Sequence, residues 1–159
     1  MLRTNSLFKQ SHRFFSKYFS SSHKWFLKVE GDDMYSMGIT SYGLEKLGPV
    51  ESFKFYEPAV TYLKSSDIGE VKTNKHHCYI ETPISFQLEK INEKLKVNPS
   101  LINLNPETVW IFWGEVCNQD DLEELMNQEE YLHYVEKLRK REAKKAKEGL
   151  THESETKPH

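Results

Sequence analysis

The 159-residue sequence contains only two cysteines, Cys78 and Cys117, and no long uninterrupted run of apolar residues. A transmembrane helix needs about 20 consecutive apolar residues, so the sequence predicts no membrane-spanning helix. Two thiols are too few for a disulfide framework, and no glycine-rich loop has the spacing of a phosphate-binding motif. The formal net charge of −2 gives no general case for nucleic-acid binding. The length instead suits one ordinary domain with tails.

Acidic residues are absent before Glu30, and this absence sets the N-terminal segment apart. Residues 1–22 are rich in hydroxyl side chains, and their apolar residues are separated by the basic residues Arg3, Lys9, Arg13 and Lys17. This composition predicts a mitochondrial transit peptide over residues 1–22, and therefore the mitochondrial matrix as the compartment. The alternative is a basic surface helix that stays attached.

The stretch Arg13-Phe14-Phe15-Ser16 looks like a matrix-processing site, which would place the cut near residue 15. Cleavage there would remove three basic residues and change the formal net charge from −2 to −5. The matrix is reducing, so Cys78 and Cys117 are predicted to be free thiols.

Alternation of apolar and polar residues predicts a mainly β domain over residues 23–138. "KWFLKV" and "MYSMGIT" are expected to form an opening hairpin around the turn "EGDD". "SYGLEKLG" predicts a short helix capped by Gly48. Further strands are expected in "VESFKFYEP", on both sides of Ser65-Ser66-Asp67 and in the run through Ile84, Phe86 and Leu88, whereas "KVNPSLINLNPET" is loop-rich. "VWIFWGEV" is the most apolar strand and is predicted to be buried.

From Asp120 the pattern changes to helical spacing, with an apolar stripe of Leu122, Leu125, Leu132, Val135 and Leu138. Acidic residues at its start and basic residues near its end suit the helix dipole. The C-terminal helix is therefore expected to dock at least as far as Leu138. Residues 139–159 are charged and almost without apolar side chains, which predicts a solvated, flexible tail; an arm ordered by a partner is the alternative.

Three residues of metal-ligand type stand together in His76, His77 and Cys78. Adjacent residues of a strand point to opposite faces, so at most two of them could share one ion, and no second cluster supplies the rest. We therefore predict no metal site. A cysteine–histidine nucleophile lacks an orienting third group, and no paired carboxylates can be placed, so an independent enzyme is not expected.

Lys75 lies between two predicted strands, near the expected reversal of a hairpin. A lysine at such a tip is accessible to a modifying enzyme. The plainer interpretation is a solvated charge that discourages pairing at a sheet edge. A shift of strand register would bring Lys72 to the tip in its place.

The order of these segments resembles the glycine cleavage system H protein family. "HKWFLKVEGDDMYSMGIT" is similar to the family's opening "H-x-W…G…GIT" region, and "GLEKLGPV" is similar to the turn that follows it. "GEVKTNKHHCYIETPIS" resembles the lipoyl hairpin, and "QLEKINEKLKVNPSLIN" resembles the strand and loop after it. The likeness covers residues 23–138, and in this register Lys75 falls on the lipoyl lysine.

The resemblance implies a lipoyl-domain-like barrel-sandwich hybrid with short helices and a C-terminal α-helix. It also implies lipoate joined by an amide bond to Lys75, and an arm that carries an aminomethyl group during mitochondrial glycine decarboxylation. The partners would be glycine decarboxylase, aminomethyltransferase and lipoamide dehydrogenase. The chain itself would be a cofactor-carrying component and not an enzyme.

Several residues depart from the family pattern. Lys72 stands where the family has a glutamate, and Asn74, His76 and His77 replace apolar or small residues. Phe86 replaces a glycine, and Ala59 and Ser65 occupy turn positions where glycine permits positive φ. These departures leave a second hypothesis open: an H-like protein without lipoate, with a regulatory or accessory structural role in a mitochondrial complex.

Overall fold

Nine strands form two sheets in residues 17–30 and 33–156, the part of the chain that the computed structural model describes. The strands are β1 (Lys17–Phe19), β2 (Lys24–Glu30), β3 (Met34–Ile39), β4 (Val50–Phe55), β5 (Val60–Tyr62), β6 (Asp67–Thr73), β7 (His77–Glu81), β8 (Phe86–Ile91) and β9 (Phe112–Val116). The larger sheet has the order β1-β2-β3-β9-β8-β5 and the smaller sheet the order β4-β6-β7. Neighbouring strands are antiparallel throughout. The mainly β prediction is confirmed.

One hydrophobic core joins the two sheets. The larger sheet contributes Phe26, Met37, Phe86 and Phe112, and the smaller sheet contributes Ile68, Val71 and Ile80, each at most 2% exposed. Burial of side chains of this size is the dominant favourable term in folding, at roughly 1.5–3 kcal/mol for each. The small sheet, which carries the predicted hairpin, is therefore anchored by its inner face.

Short helices complete the body: α1 (Ser41–Leu47), α2 (Lys94–Val97), α3 (Leu101–Leu104) and α4 (Asp120–Glu123). Helix α1 begins as predicted, because the Thr40 side chain accepts a hydrogen bond from the Gly43 N–H at 3.1 Å. Gly48 ends it with a φ of 87°. Helix α3 lies in the stretch that was expected to be loop-rich, and α2 ends in its first two residues; the two helices form because Leu95 and Ile102 enter the core.

The C-terminal helix is not continuous from Asp120 as the apolar stripe predicted. It is divided into α4 and α5 (Gln128–Thr156) by a bridge between Met126 and Phe19, whose backbones exchange two hydrogen bonds of 2.8 Å. Asn127 then caps α5 through its side chain, which accepts from the Glu130 N–H at 2.8 Å. None of the helices in the described residues has both the length and the apolar character needed to cross a bilayer.

Helix α5 and strand β1 extend past the predicted domain limits at both ends. Strand β1 lies upstream of residue 23 and pairs with β2, and α5 continues past residue 138 to Thr156. Phe19 and Tyr131 stack with their ring centroids 4.6 Å apart, which ties β1 to the helix.

Candidate functional site

Lys75 lies in the short loop that connects β6 to β7. The last cross-strand pair is Lys72 with His77, and the Thr73 N–H donates to the His76 carbonyl at 2.8 Å. The Thr73 hydroxyl oxygen in turn accepts from the N–H groups of Lys75 at 3.2 Å and His76 at 2.9 Å. The loop backbone is therefore held by a buried threonine, while the Lys75 side chain is exposed.

The structure shows which of the two candidate lysines, Lys72 or Lys75, lies at the tip of the hairpin. Lys72 is a strand residue in register with Ser52 and His77, and Lys75 is in the loop itself. The register shift that would have exchanged them does not occur. Within the described residues, no carboxylate lies within salt-bridge distance of the Lys75 amine.

Basic side chains dominate the outer surface of the hairpin near this loop. The Glu70 carboxylate of β6 is already engaged: it pairs with His77 Nε2 at 2.9 Å and Lys54 Nζ at 3.6 Å, and it accepts from the Tyr56 hydroxyl at 3.2 Å. Lys72, Lys75 and His76 are exposed, and so is Glu51 on the neighbouring strand β4. Exposed basic side chains therefore outnumber exposed acidic ones at the tip.

His76, His77 and Cys78 do not converge. The His77 ring points to Glu70 on the outer face, whereas Cys78 is half-buried and lines a cavity on the inner side of the hairpin. In residues 17–30 and 33–156, no three histidine, cysteine or acidic side chains are grouped so that they could hold a metal ion.

The cavity beside the hairpin has a volume of about 180 Å³. Strand β7, the start of β2 and helix α1 enclose it, and its apolar lining includes Ile39, Leu47, Val71 and Ile80. Two lysines, Lys24 and Lys46, also line it. Lys46 pairs with Glu142 at 2.7 Å, and the Lys24 amine donates to the Ser22 carbonyl at 2.9 Å.

Desolvation lowers the pKa of Lys24 to about 8, and the charge of Glu81 only partly opposes this effect. Sequence reasoning did not single out this lysine. The signal was present in "KWFLKV", because Lys24 and Phe26 alternate onto the same face of β2 and Phe26 is fully buried. A lysine on the inward face of a strand must either reach solvent or be desolvated.

His23, which lines this cavity, belongs to a hydrogen-bonded group of three side chains. The Tyr131 hydroxyl lies 2.7 Å from Thr40 Oγ1 and 2.9 Å from His23 Nδ1. Desolvation lowers the pKa of His23, and the charges of Lys24 and Lys46 lower it further while Glu142 raises it. Part of the lowering of the His23 pKa therefore comes from the positive charges of the two lysines.

Comparisons with known proteins agree with this architecture. The sequence profile described as glycine cleavage H-protein matches residues 17–138. A mitochondrial glycine cleavage system H protein of Schizosaccharomyces pombe is 33% identical over 120 residues, which cover 75% of this chain and 70% of the relative. The glycine cleavage system H protein of Pectobacterium atrosepticum is 33% identical over 114 residues, covering 71% and 87% of the two chains.

A crystal structure of a glycine cleavage system H protein from Mycobacterium marinum superposes with a TM-score of 0.67 and 23% identity, covering 76% of this chain and 96% of that one. This likeness confirms the predicted barrel-sandwich fold. The profile match and the relatives confirm the resemblance found in the sequence, and the chain belongs to the glycine cleavage H-protein family.

Proposed function

We propose that this chain is a lipoyl carrier that shuttles an aminomethyl group during glycine decarboxylation, with lipoate attached to Lys75. The observation that carries the proposal is the position of Lys75: in a member of this family, an exposed lysine occupies the loop of an anchored hairpin. The chain then acts as a component of a multi-enzyme system, and the catalysis belongs to its partners.

The residues around Lys75 suit an amide-linked group. The amine is exposed, and the Thr73 side chain fixes the loop backbone so that motion is left to the arm. When bound, lipoate supplies a dithiolane that can be reduced and can carry a one-carbon amine. The protein supplies a tether, which raises the effective concentration of that group at each partner's site.

The partners and compartment follow from the same proposal. We infer that glycine decarboxylase, aminomethyltransferase and lipoamide dehydrogenase components use the arm in turn. The transit-peptide composition of residues 1–22 and the mitochondrial relative of Schizosaccharomyces pombe support the mitochondrial matrix.

A second candidate is favoured by the charge of the tip. Lys72, His76 and His77 surround Lys75, so an attaching enzyme adapted to an acidic hairpin would meet repulsion. In that case the chain keeps the fold without the cofactor and serves a regulatory or accessory structural role in a mitochondrial complex.

Intact-mass measurement of the mature protein purified from its own mitochondria separates the two candidates. We expect a lipoyl-sized increment that disappears in Lys75→Arg, a variant that keeps the positive charge but cannot form the amide. The matched control Lys72→Arg should keep the increment. Wild-type protein that is wholly unmodified would contradict the carrier and favour the second candidate, while an increment that survives Lys75→Arg would move the site elsewhere.

A further inference from the structure

Helix α5 carries a group of exposed basic residues in its middle turns. Lys137, Arg141, Lys144 and Lys145 are all exposed. Within the residues that the structure describes, no carboxylate lies within 4.0 Å of the charged group of any of them. The family profile ends at residue 138, so three of the four lie beyond it. These four residues, called the basic strip below, are therefore largely outside the part of the chain that defines the family.

The spacing of the four residues places them on one face of the helix. Because an α-helix turns by about 100° per residue, positions i, i+4, i+7 and i+8 fall within a sector of about 100°. At a rise of about 1.5 Å per residue, the basic strip is about 12 Å long. Arg139, which pairs with Glu45, and Lys140, which pairs with Glu136, lie outside this sector.

Contacts of α5 with the body hold the basic strip in a fixed position. Before the strip, the Tyr131 ring stacks on Phe19 with the centroids 4.6 Å apart. Within the length of the strip, Glu142 pairs with Lys46 at 2.7 Å and accepts from the Tyr42 hydroxyl. A ligand of the strip would therefore order side chains and not backbone, which lowers the entropic cost of binding.

A glutamate lies beyond each end of the basic strip, on the same face of the helix. Glu130 is seven residues before Lys137, and Glu148 is three residues after Lys145. Both glutamates are exposed, and both fall within the sector of the strip. The formal net charge of the whole chain is −2, so the strip is a local positive patch on a protein with an excess of acidic residues.

This arrangement favours a short anionic ligand over a long one. The headgroup plane of an anionic membrane, or the backbone of a nucleic-acid duplex, continues past about 12 Å and would approach Glu130 and Glu148. Like charges that approach in this way repel one another. Four extended residues, at about 3.3 Å each, match the length of the strip and avoid both glutamates.

The type of basic residue favours carboxylates over phosphates. Three of the four residues are lysines, whose ammonium group is a point charge without the planar fork that arginine offers to phosphate. We propose that the basic strip is a docking surface for a short acidic segment of a partner protein, with glutamate or aspartate side chains over about 12 Å. The proposal goes beyond the carrier function and does not depend on lipoate.

Titration of the full chain with a synthetic peptide tests the proposal. The probe has four consecutive glutamates flanked by glycine and serine, and a second peptide with four glutamines is its control. NMR shifts of the amides of Lys137, Lys144 and Lys145 report binding, and the amide of Gly114, in β9, is the internal reference. We expect saturable shifts with the glutamate peptide only. The dissociation constant should rise at least ten-fold between about 0.01 M and 0.1 M salt, because the Debye length falls from about 30 Å to 10 Å.

Two variants with the same change in net charge locate the binding surface. Replacement of all four strip residues by glutamine should weaken binding at least ten-fold, and glutamine keeps a helix propensity close to that of lysine. The matched control replaces four exposed lysines of the body by glutamine and should bind as the wild type does: Lys54, Lys90, Lys94 and Lys96. Arginine at all four strip positions should preserve binding, which separates lost charge from a damaged helix.

Three results would overturn the proposal. The first is the absence of saturable shifts with the glutamate peptide at low salt. The second is equal weakening in the strip variant and the control variant, since affinity would then follow net charge alone. The third is tighter binding, through the strip, to phosphatidylglycerol vesicles or to an RNA duplex longer than the strip. The intact mass of the mature protein is measured separately, so failure here leaves the proposed carrier function unaffected.

Discussion

Three residues other than glycine adopt left-handed backbone in the described part of the chain: His23, Ala59 and Ser65, with φ values of 65°, 61° and 72°. His23 gains a compensating contact, because its ring Nδ1 lies 2.9 Å from the Tyr131 hydroxyl. Ala59 and Ser65 lie on either side of β5, at the two turn positions where the sequence pattern called for glycine. Conformations of this kind cost roughly 1–2 kcal/mol for a residue with a β-carbon.

We expect Ala59→Gly and Ser65→Gly each to raise the free energy of unfolding by about 0.5–1 kcal/mol. The relief of backbone strain exceeds the entropy that glycine adds to the unfolded chain. Urea titration measures the change. Ser52→Gly, at an exposed strand position of β4 with ordinary φ, is the control and should lower stability. If all three glycine substitutions lowered the free energy of unfolding, the backbone at Ala59 and Ser65 would not be strained.

Lys24 should make the stability of the protein depend on pH. Its pKa is lowered to about 8, so below pH 8 both the folded and the unfolded protein bind the proton, and the folded state bears the full cost of the desolvated ammonium. Between about pH 8 and the ordinary lysine range the unfolded state binds more protons, so stability rises with pH there.

Lys24→Met should therefore raise the free energy of unfolding at pH 7 by about 1–3 kcal/mol, since one unit of pKa shift corresponds to about 1.4 kcal/mol. The gain should shrink as the pH is raised from 8 towards 10.5. Chemical denaturation at several pH values measures it, with Lys94→Met, on α2, as an exposed control. A loss of stability at pH 7, or a gain independent of pH, would show that the amine is not desolvated.

At the scale of elements, the strands were predictable because apolar and polar residues alternate along them. The opening hairpin, the helix after Thr40 and the loop at Lys75 all follow from local pattern and turn residues. The break between α4 and α5 did not follow, because it depends on a distant partner: Met126 pairs with Phe19, more than 100 residues earlier. Periodicity in one segment contains no information about that pairing.

The face of α5 was also predicted incorrectly at one point. Leu132 belongs to the apolar stripe yet is 59% exposed, whereas Tyr131 is 5% exposed. The aromatic residue is buried because Phe19 stacks on it and because its hydroxyl has two partners, Thr40 and His23. The candidate site divides in the same way: Lys75 could be identified from the hairpin pattern, but the cavity with Lys24 exists only where β2, α1 and β7 meet.

The part of α5 beyond the family match contacts α1. Arg139 pairs with Glu45 at 2.8 Å, and Glu142 pairs with Lys46 and accepts from the Tyr42 hydroxyl. Glu142 is the last residue of α5 that makes one of these contacts with α1. Exposed ion pairs of this type contribute up to about 1 kcal/mol each.

Truncation of the chain after residue 138 should lower the free energy of unfolding by roughly 1 kcal/mol, because it removes Arg139 and Glu142. Truncation after residue 142 keeps both and should leave stability within about 0.5 kcal/mol of the full chain. Thermal or urea unfolding of the two truncations measures the difference. Equal stability of the two shorter chains would mean that the contacts of α5 with α1 contribute nothing.

The two sheets make different contributions to the folded protein. The six-stranded sheet contributes the largest buried side chains, and the three-stranded sheet rests on them through Ile68, Val71 and Ile80 while its outer face carries the charged residues around Lys75. A carrier of this kind needs a rigid base, so that only the arm moves. The anchored hairpin satisfies that need.

The contacts of strand β1 determine where the folded protein must begin. Strand β1 closes one edge of the large sheet, and Phe19 is 4% exposed against Tyr131 and the Met126 backbone. Lys17 lies 4.8 Å from the Trp25 ring centroid and pairs with Glu107 at 3.3 Å. Loss of a buried phenylalanine alone costs about 3–5 kcal/mol.

Under the mitochondrial location proposed above, we therefore expect a processing cut at or before Lys17, in agreement with the site near residue 15 and not with a cut at residue 22. Peptide mass mapping of the N-terminus of the protein purified from its source measures this. In vitro, a chain that starts at His23 should be less stable by several kcal/mol than one that starts at Ser16, or should fail to fold. Two results together would contradict this expectation: a mature N-terminus beyond Phe19, and normal stability of the chain that starts at His23. They would mean that β1 is dispensable and that Tyr131 and Trp25 tolerate exposure.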